Sequence, residues 1–180
     1  MPLILLLGGA RSGKSDLAVR LAAVQPAPVV MIATAEAYDD EMARRIERHQ
    51  AERPPAWETV EAPIELEQAI DDAPPEYCLI IDDLTLWVAN LLGEHGEEEI
   101  EALGSQAAWA AAARDGMTIT VSNEVGLGLV PDNALGRRYR DLLGRVNASW
   151  AQAADESYLL VAGRMLPLHG TDELLNRLWP

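Results

Sequence analysis

Cysteine and lysine are almost absent from this 180-residue chain: there is one of each. Cys78 alone excludes an internal disulfide and any zinc site built on cysteines. Its place in Tyr77-Cys78-Leu79-Ile80-Ile81 reads as a buried, inert thiol. Long apolar runs are missing too, since no segment approaches the roughly 18 residues of a membrane span. The opening Met1-Pro2-Leu3-Ile4-Leu5-Leu6-Leu7 is too short, and lacks the preceding basic residue, for a secretory signal. A soluble, cytoplasmic protein is the expectation. Positive charge is scarce: 14 Lys+Arg face 29 Asp+Glu, a net charge of -15. Such a chain repels nucleic-acid backbones and anionic lipid, so neither is expected as a partner. Any phosphate it binds must be held by locally placed donors. Thirteen of the basic residues are arginine, and the sole lysine is Lys14.

What is present is an ordinary globular composition, 49% hydrophobic and 24% charged. The length predicts one domain over residues 1–180, with no repeat or linker to divide it. Apolar runs at Leu3–Leu7, Val29–Ala33, Tyr77–Asp82, Met117–Ser122 and Ser157–Val161 read as strands, and Trp57–Glu61 as a further extended segment. Between them, helical patterns cover Lys14–Val24 (with Leu17, Leu21 and Val24 as the apolar stripe), Glu41–Glu52 capped by Asp39-Asp40, Pro63–Asp71, Leu84–Leu92, Glu94–Ala113 and Asn133–Ala154. Strands alternating with helices predict an α/β fold, a mostly parallel sheet covered by helices on both faces.

Gly8-Gly9-Ala10-Arg11-Ser12-Gly13-Lys14-Ser15 fits G-x-x-x-x-G-K-[ST], with a buried strand before it and an amphipathic helix after. The glycines let successive backbone N–H groups turn toward a β-phosphate beside a helix amino terminus. Lys14 supplies a compact charge to the β- and γ-phosphates, and Ser15 a hydroxyl to Mg²⁺. The lone lysine thus occupies the one position that needs an ammonium. A phosphate loop of this P-loop NTPase type wants a carboxylate at the end of another buried strand, and Leu79-Ile80-Ile81-Asp82-Asp83 supplies two. Adjacent buried acids repel each other, which points to a cation nearby. Alternatively the pair caps the helix from Leu84, or one member caps while the other serves the metal.

Three further groupings are ambiguous by spacing alone. Arg44-Arg45-Ile46-Glu47-Arg48-His49-Gln50-Ala51-Glu52-Arg53 places a histidine among arginines, where it stays neutral and nucleophilic. It suits attack on a phosphorus atom, although by spacing alone a half-buried histidine at the border of an apolar helix face is the favoured reading. Asn123-Glu124 follows a strand whose carboxyl end faces the ligand edge of a parallel sheet, or begins a polar turn. Arg137, Arg138, Arg140 and Arg145 make either an anion-binding patch or a solvated helix face.

Taken together, these segments resemble a known family. The matching residues are Gly8 through Ser15, Ile32-Ala33-Thr34-Ala35, Asp40-Glu41-Met42, Arg45-Ile46 with His49, Arg53-Pro54, Trp57 with Thr59 and Glu61, and Asp82 with Leu84-Thr85. Asn90-Leu91-Leu92, Asn123-Glu124-Val125-Gly126 with Pro131, and Arg140-Asp141 with Gly144 and Val146-Asn147 complete the set. The chain is similar to the bifunctional adenosylcobinamide kinase/adenosylcobinamide-phosphate guanylyltransferases of cobalamin biosynthesis. The resemblance implies two reactions: phosphorylation of adenosylcobinamide by ATP or GTP, then transfer of GMP from GTP to the new phosphate, giving adenosyl-GDP-cobinamide and pyrophosphate. It implies a guanylylated histidine at His49. It places nucleotide contacts at Gly8, Gly9, Ala10, Arg11, Ser12, Gly13, Lys14, Ser15, Ala33, Thr34, Ala35, Gln50, Ala51, Glu52, Arg53, Glu61 and Asp82. It also implies a homotrimer. The chain departs from the family pattern at Asp83, where a cysteine is more usual, and in the tail after Gly163. A plain small-molecule kinase, or a protein that holds GTP without turning it over, would share the phosphate loop but form no guanylyl-histidine.

Overall fold

The computed structural model describes residues 2–37, 43–44, 54–172 and 178. The helix expected over Glu41–Glu52 lies almost wholly outside them. Strand β1 (Leu3–Gly8) is buried along its whole length, and its alternation feeds two cores. Leu3, Leu5 and Leu7 join one cluster, Ile4 and Leu6 the other, as the two-residue period of a strand requires. Strands β2 (Val29–Ala33) and β4 (Cys78–Asp82) divide in the same way. β3 (Glu58–Glu61), β5 (Thr118–Asn123), β6 (Glu156–Val161) and β7 (Arg164–Leu168) complete a seven-stranded sheet of order β3-β2-β4-β5-β1-β6-β7. Every pairing is parallel except β6 with β7.

Helix α1 (Lys14–Ala23) covers one face, and α2 (Leu66–Asp72), α3 (Leu84–Leu91), α4 (Glu97–Ala112) and α5 (Ala134–Ala153) the other. The expected α/β sheet with helices on both faces is therefore present. One expectation is corrected. The buried stripe of α1 is Ala18 and Ala22, flanked by half-buried Leu17 and Leu21, while Val24 is 76% exposed. Small residues let α1 lie close to the sheet, and the C-cap position of Val24 carries it off that face. The sequence assigns no element to the tail after Gly163. Its first residues turn back at Ala162-Gly163, whose φ values of 50° and 71° are those of a type I′ turn, and form the antiparallel edge strand β7. Pro167 is tolerated in β7 because an edge strand leaves one row of amides unpaired.

Cys78 is buried as expected, and desolvation pushes its thiol up to about 11 against a smaller opposing pull from Arg114. The guanidinium of Arg114 ties the end of α4 to the α2–β4 connection. Its Nη1 donates to Ile70 O (2.9 Å) and Ala73 O (3.0 Å), and its Nη2 to Pro74 O (2.8 Å) and Tyr77 O (3.2 Å). Burial draws its pKa below the ordinary arginine value. By contrast, the buried hydroxyls of Thr118 and Thr120 have no hydrogen-bond partner among the described residues. Replacing Arg114 by Met would strand four carbonyls and cost on the order of 3 kcal/mol. Thr120→Val, which removes an unpaired hydroxyl at constant shape, gains about 1 kcal/mol. Urea unfolding of both variants measures the opposite signs.

Candidate nucleotide site

The register of the sheet decides which side chains meet. Gly8 pairs with Asn123 across β1 and β5, and Ala33 pairs with both Asp82 and Glu61 across β2, β4 and β3. The carboxyl ends of five neighbouring strands thus form one edge, where ligands of parallel sheets bind. The chain leaves β1 through Gly8 and returns into α1 at Gly13. A Cβ on Gly8 would lie 2.4 Å from Leu160 O and 2.8 Å from Ser12 Oγ, so only glycine fits. Gly13 caps α1 at φ 98°, and no side chain caps that helix end. Its first N–H groups are left to the concave side of the loop. The β6–β7 turn props the loop from behind, with Gly163 N–H donating to Ser12 O at 3.0 Å.

Lys14 is 6% exposed and reaches back across the loop. Its Nζ donates to Gly9 O (2.8 Å), Asn123 Oδ1 (2.7 Å) and more weakly Ser12 Oγ (3.4 Å). Ser15 Oγ donates to Asp82 Oδ1 at 3.1 Å. Asp83 instead caps α3, its Oδ1 accepting Leu86 N–H at 2.8 Å. The two adjacent acids therefore divide the roles: one caps, the other faces the phosphate loop. Among the described residues no group of three or more His, Cys, Asp or Glu side chains could hold a metal. The Ser15–Asp82 pair fits Mg²⁺ all the same, because that ion takes one or two protein oxygens and fills its remaining positions with phosphate oxygens and water.

The edge is fixed by polar groups that spacing left without a role. Thr34, wholly buried, donates through its hydroxyl to Asp83 O (2.7 Å) and accepts Asp83 N–H (3.0 Å), which locks the end of β2 onto β4. Asn90 Nδ2 donates to Thr34 O (2.8 Å) and Pro63 O (3.0 Å). Asn123 N–H donates to Thr85 Oγ1 (2.8 Å), and Asn147 Nδ2 donates to Asn123 O (3.0 Å). Ser122 Oγ donates to Asn147 Oδ1 at 2.6 Å, and Tyr139 OH donates to Thr85 O at 3.0 Å. Burial, aided by the charge of Asp83, holds the Tyr139 phenol well above its usual pKa, so it remains a donor.

Of the expected site residues, Gly8 through Ser15, Ala33 through Ala35, Glu61 and Asp82 are gathered at this edge, with Glu61 exposed and the Thr34 side chain turned inward. His49, Gln50, Ala51, Glu52 and Arg53 lie outside the described residues. Asn123 faces the site, whereas the carboxylate of Glu124 accepts Gly126 N–H at 2.6 Å. The arginine cluster of α5 is a solvated face with internal partners. Arg138 and Arg145 pair with Glu97, Arg145 also with Glu101, and Arg140 with Asp141. Arg137 donates to the carbonyls of Pro131 and Asp132.

A parallel sheet, a glycine loop opening a helix, an ammonium folded over that loop and a serine–aspartate pair beside it define a P-loop nucleotide-binding protein. Solved structures share the fold. A Pyrococcus horikoshii protein matches with a TM-score of 0.58 at 6% identity, over 92% of this chain and 85% of that one. The assembled ATPase EscN of the enteropathogenic E. coli type III secretion system matches with a TM-score of 0.57 at 12% identity, over 99% of this chain and 45% of that one. The particular family follows from sequence: residues 4–168 match the model of cobinamide kinase / cobinamide phosphate guanyltransferase, and the chain belongs to that family. The bifunctional adenosylcobalamin biosynthesis protein CobP of Pseudomonas aeruginosa is 43% identical over 167 residues, covering 92% of this chain and 96% of the relative. The protein CobU of Salmonella typhimurium, described in the same terms, is 41% identical over 175 residues, covering 89% and 96%.

The division of roles between the two acids is testable. Asp83→Ala removes a helix cap and lowers stability by about 1 kcal/mol. Asp82→Asn leaves the melting temperature close to wild type and lowers the Mg²⁺-dependent phosphorylation rate by about 10²-fold or more. A melting scan beside a kinase assay separates the two.

Proposed function

We propose that this protein carries both family reactions on one unit spanning residues 1–180, using the phosphate loop for the triphosphate and His49 as the nucleophile of the second step. The observation that carries the reading is the Lys14–Asn123 and Ser15–Asp82 arrangement in a chain of this family. In the kinase step the hydroxyl oxygen of adenosylcobinamide attacks the γ-phosphorus of ATP or GTP, and the bond to the departing diphosphate breaks. Loop N–H groups and Lys14 take up the charge on the transferring group. Ser15 and Asp82 would hold Mg²⁺, which supplies further neutralisation of the β- and γ-oxygens.

In the second step an imidazole nitrogen of His49 attacks the α-phosphorus of GTP and pyrophosphate leaves. The phosphate of adenosylcobinamide phosphate then attacks the same phosphorus, releasing the histidine. An imidazole serves both halves, because it is nucleophilic when neutral and leaves well once protonated. Gln50 through Arg53, Ala33 through Ala35 and Glu61 complete the nucleotide contacts in this reading. A carboxylate at Glu61 can accept the N1–H and N2–H₂ of guanine, which adenine lacks in that pattern. The protein works in the cytoplasm as a homotrimer. Among the described residues no helix is long and apolar enough to cross a membrane.

The test uses GTP labelled at the α-phosphate. Wild-type protein with Mg²⁺ acquires acid-labile, alkali-stable label, and His49→Ala acquires none while still phosphorylating adenosylcobinamide. Equal labelling of the two proteins would move the nucleophile elsewhere, and absence of label from both would reduce the protein to a kinase.

A further inference from the structure

The ammonium of Lys14 has three N–H bonds, and the acceptors Gly9 O, Ser12 Oγ and Asn123 Oδ1 differ in kind. Gly9 O and Ser12 Oγ belong to the phosphate loop itself. The third, Asn123 Oδ1, comes from a different strand and makes the shortest contact, 2.7 Å. It is also the acceptor whose backbone is held most firmly from outside. Its N–H goes to Thr85 Oγ1, its carbonyl receives Asn147 Nδ2, and the register of β5 on β1 sets Asn123 opposite Gly8. Thr85 and Asn147 are in turn held by Tyr139 and Ser122. Only the side-chain torsions of Asn123 are left to vary.

We propose that Asn123 is the positioning residue for Lys14: its neutral amide oxygen holds the ammonium over the phosphate loop at the carboxyl end of β5 and yields it to the terminal phosphates of the bound triphosphate. Neutrality is the point of the residue. An ammonium is drawn more strongly to an anionic phosphate oxygen than to a neutral amide oxygen, because two opposite full charges attract in addition to the hydrogen bond, so phosphate wins the competition. A carboxylate in the same place would not yield so readily. Once Lys14 has turned to the phosphates, rotation about χ2 brings Nδ2 of Asn123 to the same spot, and the acceptor becomes a donor toward the γ-phosphate. The side chain thus aims the charge in one state and can share the load in the other, which is how a positioning group lowers a barrier made mostly of alignment.

This inference rests on the kinase reading above, and its test is arranged so that the two fail differently. Asn123→Ala and Asn123→Asp are compared with wild type by calorimetric titration with Mg-ADP and a non-hydrolysable Mg-ATP analogue, by single-turnover phosphorylation of adenosylcobinamide, and by melting temperature. Because the backbone of Asn123 is held by Thr85 and Asn147, both variants keep the wild-type melting temperature to within a few degrees. Asn123→Ala, having lost the competitor, binds the ATP analogue as tightly as wild type to within about twofold, yet phosphorylates about 10- to 100-fold more slowly, because Lys14 arrives without its guide and the amide donor toward the γ-phosphate is gone. Asn123→Asp ion-pairs with Lys14 and binds both nucleotides about tenfold more weakly. A merely structural role would instead lower the melting temperature and weaken binding in both variants alike. Wild-type turnover by Asn123→Ala, or wild-type affinity in Asn123→Asp, overturns the proposal. If wild-type protein itself fails to phosphorylate adenosylcobinamide, the kinase reading has failed, and the contrast between unchanged affinity in Asn123→Ala and weakened affinity in Asn123→Asp still decides the role of Asn123.

Discussion

The structure depends on where one ammonium is held. A chain with a net charge of -15 opposes every anion that approaches it, so a triphosphate can be bound only where positive charge is concentrated and aimed. In the function proposed above, Lys14 meets that need through the backbone before it meets it through charge. Gly8 and Gly13 allow the chain to reverse, the open end of α1 offers N–H groups, and the lysine folds back 2.8 Å from Gly9 O to sit above them. Because the field is local, the rest of the surface is free to be acidic.

Around that centre, rigidity comes from groups that do no chemistry. Thr34 fastens β2 to β4 through both functions of its hydroxyl, Asn90 fixes the chain leaving β2, and Asn147 with Thr85 fixes the end of β5. Each is a short polar side chain whose partners are mainly backbone, so the strand ends cannot fray while ligands come and go. The β6–β7 turn adds support from the other side through Gly163 and Ser12.

The sheet and the phosphate loop were legible because their signals are local. Leu3–Leu7, Val29–Ala33 and Leu79–Ile81 are continuous apolar runs that only a doubly covered strand explains, and the loop residues are contiguous. The adjacency of Asp82 and Asp83 gave the two roles without saying which acid takes which; the helix start at Leu84 settles that. What escaped needed contacts between distant residues. Nothing near Arg138 or Arg145 announces Glu97, which lies about forty residues earlier in sequence and one helix away in space. Arg114 looks like any arginine at a helix end until the four carbonyls of the α2–β4 connection surround it. Strand β7 was missed because its side chains are exposed and it contains Pro167, so it has neither alternation nor an apolar run. Asn123 and Glu124 were equivalent by spacing, and only the register with Gly8 separates the residue at the site from its neighbour.

The central claim is that a single ammonium, and no general basic surface, makes this acidic protein a phosphotransferase. Lys14→Ala, assayed for transfer of the γ-phosphate of ATP to adenosylcobinamide at saturating nucleotide, measures it most directly. The account predicts a loss of about 10²- to 10³-fold in rate in a protein that still melts as a folded chain. A rate within a few fold of wild type would mean that the arginines supply the charge, and would contradict it.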